Sequence, residues 1–259
     1  MLFCIFFLFL CYRHCVFQLY RFQHLPYYRH PNVVSVVGFS LDQTALEKCY
    51  IIYDSNAQES VGRLLLNDDS RKALSANRRV EIMYDISLAL TYLHQSDKSV
   101  PNRSKDICFH GDIKSDNIVL ALDGTAMLLS CGLSNIALNS PLLQESNQML
   151  GTKGYICPWY CQGGKGFRSE CDIYSFGVVL LELLTGNVYP ALQLDRYLTA
   201  KDSISILMDD ADRDAGVGWL NVLGDLCSLT ISCIDPHLVR RPSADSIRNT
   251  LSLILGKMD

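Results

Sequence analysis

The first 41 residues of this 259-residue chain contain no lysine, aspartate or glutamate, and they contain no glycine before Gly38. All 27 acidic residues follow this segment, and the formal net charge of the whole chain is −4. Because proteins that bind nucleic acid electrostatically present a basic surface, we expect no nucleic-acid partner. The composition, 49% hydrophobic and 19% charged, is that of a globular protein and excludes extended disorder.

The eleven cysteines are an odd number, and no two of them stand at Cys-x-x-Cys spacing. A framework of disulfides is therefore not expected, since such frameworks usually use an even number of cysteines in a small secreted domain. The pattern favours reduced, mostly buried thiols. It therefore predicts a cytoplasmic location.

No apolar run is long enough to cross a membrane as a helix. The longest, MLFCIFFLFLC at residues 1–11, falls well short of the ~20 residues that a spanning helix needs. No lysine or arginine precedes it and no clear small-residue cleavage site follows it, which argues against a signal peptide. We interpret it as an apolar leader, and membrane association through residues 1–11 stays open as the less favoured alternative.

Strands are predicted where short β-branched and aromatic runs lie between turn residues. SVVGFS at residues 35–40 and CYIIYD at residues 49–54 fit this pattern. The segment NIVLALDGTAMLLS, residues 117–130, reads as a hairpin with its turn at Asp123 and Gly124.

Helices dominate the predicted second half of the chain. Residues 76–94 place apolar side chains at spacings of three and four, which indicates an amphipathic helix. Residues 172–186 are apolar almost all round and end at Gly186, which predicts a buried central helix. Two further helical patterns lie near residues 219–234 and 243–255.

Motifs in a fixed order give the sequence a resemblance to protein kinases. It is most similar to the tyrosine-kinase-like branch, which holds plant receptor-like kinases and interleukin-1-receptor-associated kinases. One such motif would be weak evidence, but an ordered set is strong. The motifs are HPNVV (30–34), HGDIKSDN (110–117), GTKGYICPWY (151–160), DIYSFGVVLLELLTG (172–186) and RRPS (240–243).

This resemblance implies an α+β, protein-kinase-like fold with a largely complete, mostly α-helical C-lobe and only a remnant of the β-rich N-lobe. Residues 1–27 are the apolar leader, which leaves room for a remnant of the N-lobe helix. Residues 28–255 form the kinase-like domain. Within it, we assign residues 28–61 to the N-lobe remnant and hinge, and residues 62–255 to the C-lobe.

Four residues match the family's catalytic machinery. The resemblance makes Asp112 the residue that orients the substrate hydroxyl and accepts its proton, and it places Lys114 near the transferred phosphoryl, as in serine/threonine kinases. Asn117 would hold a magnesium ion and contact the nucleotide, and Thr152 would bridge to the catalytic loop. These roles are expected to be idle or vestigial in this chain, for the reasons that follow.

Other matching positions are structural. The resemblance implies that His110 and Asp172 support the backbone of the catalytic loop, whether or not chemistry takes place. Ungapped counting from the HPN motif suggests Tyr53 as the vestigial gatekeeper of the nucleotide site. The first expectation concerns architecture, and the second assigns Tyr53 to the vestigial nucleotide-binding site.

The residues that handle phosphate charge are missing. Counting 13 residues from Asn117 reaches Ser130, where the family has the magnesium-binding aspartate of its D-F-G motif. A neutral hydroxyl cannot replace that carboxylate. Residues 1–41 also lack the Gly-rich loop, the strand lysine and the helix glutamate of an active kinase.

Two positions linked to regulation also depart from the family. The arginine of H-R-D is Gly111, and the glutamate of A-P-E is Trp159. In the family that glutamate pairs with the arginine at the position of Arg241. An unpaired buried guanidinium would be costly, so we predict that Arg241 stacks on the Trp159 ring. The alternative is that Arg241 turns outward while Trp159 fills apolar space.

The sequence therefore indicates a pseudokinase that acts as a signalling scaffold or binding module, with protein partners and no cofactor. Two alternatives stay open. One is a serine/threonine-type kinase with residual activity, which would use magnesium–ATP. The other is a truncated gene product without an independent role, motivated by the leader and the missing part of the N-lobe.

Overall fold

The computed structural model describes residues 3–9, 29–42, 48–54, 56–96, 107–129, 151–164, 166–188 and 194–258. Within these ranges the strands are β1 (Phe3–Phe9), β2 (Ser35–Asp42), β3 (Lys48–Asp54), β4 (Glu59–Ser60), β5 (Ile118–Leu120) and β6 (Ala126–Leu128). The α-helices are α1 (Val61–Leu66), α2 (Asp68–Ala73), α3 (Ala76–His94), α4 (Pro158–Cys161), α5 (Ser169–Thr185), α6 (Leu194–Thr199), α7 (Ser203–Asp209), α8 (Leu223–Cys233) and α9 (Ala244–Leu255).

The N-terminal sheet has the strand order β1-β3-β2, and both pairings are antiparallel. β2 and β3 confirm the two strands predicted from their β-branched and aromatic residues. β1 lies inside the apolar run of residues 1–11 and pairs with β3 from Phe3 opposite Asp54 to Phe9 opposite Lys48. This run is therefore a strand over part of its length.

The predicted hairpin is formed by β5 and β6, and β4 extends it to a second small sheet. Its turn uses the predicted residues: Asp123 Oδ1 accepts a hydrogen bond from the Thr125 amide at 2.9 Å, and Gly124 has a φ of 91°. That φ favours glycine over any residue with a Cβ atom. Asn32, from the HPN motif, donates through Nδ2 to the Ala126 carbonyl at 2.9 Å and so joins this sheet to the N-terminal part.

The predicted central helix is α5. All of its residues from Cys171 to Thr185 are buried, including Phe176, Val179, Leu180 and Leu183, and Gly186 caps it in the left-handed conformation. α5 packs against α8, and α3 packs against α9. The predicted helices at 76–94, 219–234 and 243–255 are confirmed as α3, α8 and α9.

Gly177 lies where α5 packs closely against the C-terminal end of α8. A Cβ atom added there would lie 2.7 Å from Ile234 Cγ2 and 2.8 Å from Cys233 Cβ, inside van der Waals contact. The absence of a side chain at Gly177 therefore allows α5 to pack tightly beside α8. In the described part of the chain, no helix has both the length and the hydropathy needed to cross a bilayer.

Candidate functional site

The loop that precedes β5 carries the candidate catalytic residues, and Asp172 holds its backbone in place. The Asp172 side chain is completely buried at the start of α5. Its Oδ2 accepts a hydrogen bond from the His110 amide at 2.7 Å, and its Oδ1 accepts one from the Gly111 amide at 2.8 Å. A third contact joins Oδ2 to His94 Nε2 at 2.9 Å. One carboxylate on the central helix α5 therefore holds the backbone of this loop.

The side chain of His110 makes two further contacts at this loop. Its Nε2 lies 2.6 Å from the Leu129 carbonyl oxygen, and its Nδ1 lies 3.1 Å from the Asp112 amide nitrogen. Since a carbonyl only accepts and an amide N–H only donates, the ring carries its hydrogen on Nε2 in this arrangement. Gly111, between them, has a φ of 78°, a conformation that suits glycine. These contacts place the His110 ring between the Leu129 carbonyl and the Asp112 amide, and its loop-supporting role stays a prediction.

The structure brings the four predicted catalytic residues together. Thr152 donates to Asp112 Oδ1 at 2.6 Å, and Lys114 Nζ donates to Thr152 Oγ1 at 2.9 Å. Lys114 Nζ also lies 3.5 Å from Asp112 Oδ2. Asn117 Nδ2 donates both to the Asp112 carbonyl at 2.7 Å and to Asp112 Oδ2 at 3.0 Å. The cluster is a closed network in which each side chain has a partner.

The chemistry available to this cluster is limited by its own contacts. Both oxygens of Asp112 already accept hydrogen bonds, and Lys114 balances its charge. The Asp112 side chain remains 37% exposed, so a substrate hydroxyl can reach it. Asp112 could orient such a hydroxyl, but the transfer of a phosphoryl group also requires the phosphates to be held and neutralised.

Near Asn117, the described residues place the carboxylate of Asp112, which is already hydrogen-bonded. Mg²⁺ in phosphotransferases is held by carboxylates together with phosphate oxygens. Here the neighbouring carboxylate, Asp112, is engaged by Thr152, Asn117 and Lys114. Among the described residues, no group of three or more His, Cys, Asp and Glu side chains is placed to hold a metal ion. Ser130, the predicted replacement for the D-F-G aspartate, lies outside the described residues.

Tyr53 lies at the end of β3, where the predicted gatekeeper should be. It is 1% exposed and packs in a small apolar cluster with Val34, Val119 and Leu129. This cluster is separate from the main core of the helical part. The buried ring therefore occupies the space between the N-terminal sheet and the hairpin, and its role as a gatekeeper stays a prediction.

A buried polar chain beneath the catalytic loop was not foreseen from the sequence. Tyr155 donates its hydroxyl hydrogen to Glu182 Oε1 at 2.6 Å, and its hydroxyl oxygen lies 3.5 Å from Ser115 Oγ. Burial, and then the charge and hydrogen bond of Glu182, raise the pKa of Tyr155 far above 10.0. These contacts join the catalytic loop to α5. No local pattern predicts them, because the residues are far apart in sequence.

The predicted stacking of Arg241 on Trp159 is wrong. The Arg241 guanidinium carbon lies 4.9 Å from the centroid of the Tyr174 ring, while Arg168 covers the Trp159 ring at 5.3 Å. Arg241 also donates to the carbonyls of Asp235 and Glu170, each at 2.8 Å. It is 6% exposed, so the alternative in which it turns outward is wrong as well.

The position of Trp159 explains why the prediction failed. A Cβ atom added at Gly164 would lie 2.5 Å from Trp159 Cδ2, so the indole packs directly on the backbone of that glycine. Arg168 lies over the same indole ring. The Arg241 guanidinium instead has the carbonyls of Asp235 and Glu170 and the Tyr174 ring as partners.

The comparisons with known proteins agree with this geometry. A family model described as "Protein kinase domain" matches residues 21–251. Among curated proteins of Arabidopsis thaliana, the chain is 28% identical over 244 residues to cysteine-rich receptor-like protein kinase 7, covering 87% of this chain and 34% of the relative. It is 27% identical over 242 residues to probable serine/threonine-protein kinase PBL15, covering 89% of this chain and 54% of the relative.

A solved structure shows the same fold. The pseudokinase domain of BIR2, described as an immune regulator of the RLK/Pelle family, superposes with a TM-score of 0.75 at 22% identity, covering 98% of this chain and 75% of that one. The chain spans only 34% and 54% of the two curated relatives named above. The predicted α+β, protein-kinase-like fold is thus confirmed. The match over residues 21–251 and the ordered motifs show that the chain belongs to the protein kinase domain family.

Proposed function

We propose that this chain is a catalytically inactive kinase-like domain, a pseudokinase, that serves in cytoplasmic signalling as a scaffold or binding module for protein partners. The observation that carries the proposal is Ser130, which stands where the family has the magnesium-binding aspartate of D-F-G, because a hydroxyl cannot replace that carboxylate. The remaining carboxylate, Asp112, is engaged by Thr152, Asn117 and Lys114. The backbone of the catalytic loop is held by hydrogen bonds to Asp172, which do not require a bound nucleotide.

The composition of the N-terminal residues supports the same proposal. Phosphoryl transfer depends mainly on positioning and on neutralising charge at the phosphates. Residues 1–41 contain no lysine, no glutamate and no Gly-rich segment, so they supply none of the usual phosphate-handling parts. The BIR2 domain, described as a pseudokinase, shows that this fold occurs in a protein of that class.

A kinase with residual activity is the second candidate, and one observation favours it. Asp112, Lys114, Asn117 and Thr152 lie within hydrogen-bonding distance of one another, which is the arrangement that the family's catalytic loop requires. Residual activity would then depend on Asp112 as the base. This dependence separates the two candidates.

We expect the purified wild-type chain and its Asp112→Asn variant to incorporate equal, background amounts of label from γ-labelled ATP. Magnesium and a serine- and threonine-rich protein substrate should be present in both reactions. A positioned general base contributes about 10²–10⁴-fold to a rate, so a working Asp112 would give a large difference. Label transfer by the wild type that the Asp112→Asn variant has lost would contradict the pseudokinase proposal. Matching circular-dichroism melts ensure that both proteins are folded.

A further inference from the structure

Arg241 is a buried cation that has no carboxylate partner among the described residues. Its side chain donates to the carbonyls of Asp235 and Glu170, each at 2.8 Å, and lies over the Tyr174 ring. The salt bridges within the described part of the chain do not include it. A buried guanidinium without a counter-charge is costly. The surroundings of Arg241 are therefore where a negative charge would stabilise the fold most.

The side chain that accepts a hydrogen bond from Arg241 is the thiol of Cys157. Arg241 Nη1 donates to Cys157 Sγ at 2.9 Å, and Cys157 is 1% exposed. Cys157 directly precedes α4 and stands two residues before Trp159, which occupies the position of the A-P-E glutamate. The same segment of the chain thus still contacts this arginine, but through sulfur and from a neighbouring position.

We propose that Cys157 is a buried thiolate that serves as the counter-charge of Arg241, and that this ion pair holds the start of α4 on the helical lobe in a pH-dependent way. The thiol proton is released to solvent when the pair forms. A proton returns to Sγ when the pair is lost in acid. Neither residue belongs to the Asp112 network, so the pair acts independently of phosphotransfer.

The groups around the sulfur favour its ionised form. Hydrogen bonds from Cys171 and from Arg241 outweigh burial and hold the pKa of Cys157 well below its ordinary 9.0. Burial raises the pKa of Cys161 and of Tyr174, and the hydrogen bond to Cys157 together with burial raises that of Cys171. These three neighbours therefore stay neutral at neutral pH. Titratable groups that interact with this set in turn are Asp172, Asp195 and Cys233.

The pH range of the effect follows from the direction of the shift. The pKa of Cys157 is lower in the folded chain than in the unfolded chain, where a thiol has its ordinary value. The ion pair therefore stabilises the fold fully above about pH 9 and contributes less as the pH falls toward the folded-state pKa. A neutral thiol at Cys157 would give no such dependence below pH 9.

Unfolding by urea between about pH 6 and about pH 8 tests the pair in the wild type and in Cys157→Ala. The ratio of the variant's unfolding constant to that of the wild type should rise by up to about tenfold for each pH unit. Cys227→Ala is the matched control, since Cys227 is also a fully buried thiol but burial raises its pKa. Its ratio should not change over this range. A ratio for Cys157→Ala as constant as that for Cys227→Ala would overturn the proposal.

The ultraviolet absorbance of the thiolate gives a second readout, and in the wild type it needs no variant to fold. The wild type and Cys227→Ala should both show it at neutral pH and lose it as the pH falls through the lowered pKa of Cys157. Cys157→Ala should lack it. In Arg241→Gln the absorbance should appear only at higher pH, because the counter-charge is gone. A wild-type absorbance that appears only near pH 9 would contradict the proposal.

Discussion

Replacing Asp172 with alanine is expected to lower the free energy of unfolding by about 3–5 kcal/mol. Its buried carboxylate accepts hydrogen bonds from the amides of His110 and Gly111 and contacts His94. Without it, buried N–H groups lose their acceptor, and each such loss costs about 1–3 kcal/mol. Urea titration followed by circular dichroism measures the change.

Asp225→Ala is the matched control for this experiment. Asp225 pairs with Lys257 at 2.6 Å, but the two side chains are 49% and 55% exposed. Exposed ion pairs contribute about 0–1 kcal/mol, so the control should remain close to wild type. If Asp172→Ala shifted the urea midpoint no more than Asp225→Ala, the catalytic loop would not depend on Asp172, and its retention as architecture would lose its physical basis.

A loss of about 3–5 kcal/mol is also expected for Asp212→Ala. Arg79 is completely buried, and its Nη2 donates to Asp212 Oδ2 at 2.7 Å. Arg71 donates to the same oxygen at 2.6 Å. Without Asp212, Arg79 keeps the carbonyls of Leu74 and Leu183 but loses its counter-charge. A buried guanidinium left in that state destabilises the fold strongly.

Asp214→Ala provides the comparison, because Asp214 also pairs with Arg71, at 2.9 Å, but is 49% exposed. Its removal should cost no more than about 1 kcal/mol. Equal losses for the two variants in the same urea titration would show that burial of Arg79 does not determine the cost.

The hydrogen bonds of Asp212 with Arg71 and Arg79 also predict how the free energy of unfolding depends on pH. Burial alone would raise the pKa of Asp212, but hydrogen bonds from Arg71 and Arg79 outweigh burial and lower it below 3.8. A carboxylate with a lowered pKa stabilises the fold fully above its unfolded value and loses that contribution as the pH falls toward its folded value. The stability difference between the wild type and Asp212→Ala should therefore shrink below about pH 3.8.

Much of the fold could be predicted from the sequence because its large elements carry local signals. α3 and α5 have long apolar patterns with clear ends, and the hairpin has an Asp-Gly turn. The short helices α1 and α2 carry no such pattern. They depend on the caps provided by Ser60 and Asn67 and on contacts with the rest of the chain.

The candidate site likewise contains residues that motifs predict and contacts that motifs do not predict. Asp112, Lys114, Asn117 and Thr152 follow from motifs, and the structure brings them together. The partners of Arg241 do not follow from motifs, since Cys157 is 84 residues away in sequence. The sequence shows that Trp159 replaces a glutamate. It does not show which groups surround Arg241.

The measurement that tests the central claim most directly is the melting temperature of the purified chain with millimolar magnesium–ATP. Any ligand that binds the native state stabilises it by RT ln(1 + [L]/Kd). A Kd ten times below the ligand concentration would give about 1.4 kcal/mol, which is a shift of about 3–6 °C for a domain of this size. We predict no shift relative to magnesium chloride alone. A reproducible upward shift that requires magnesium and is lost in Asn117→Ala would contradict the account.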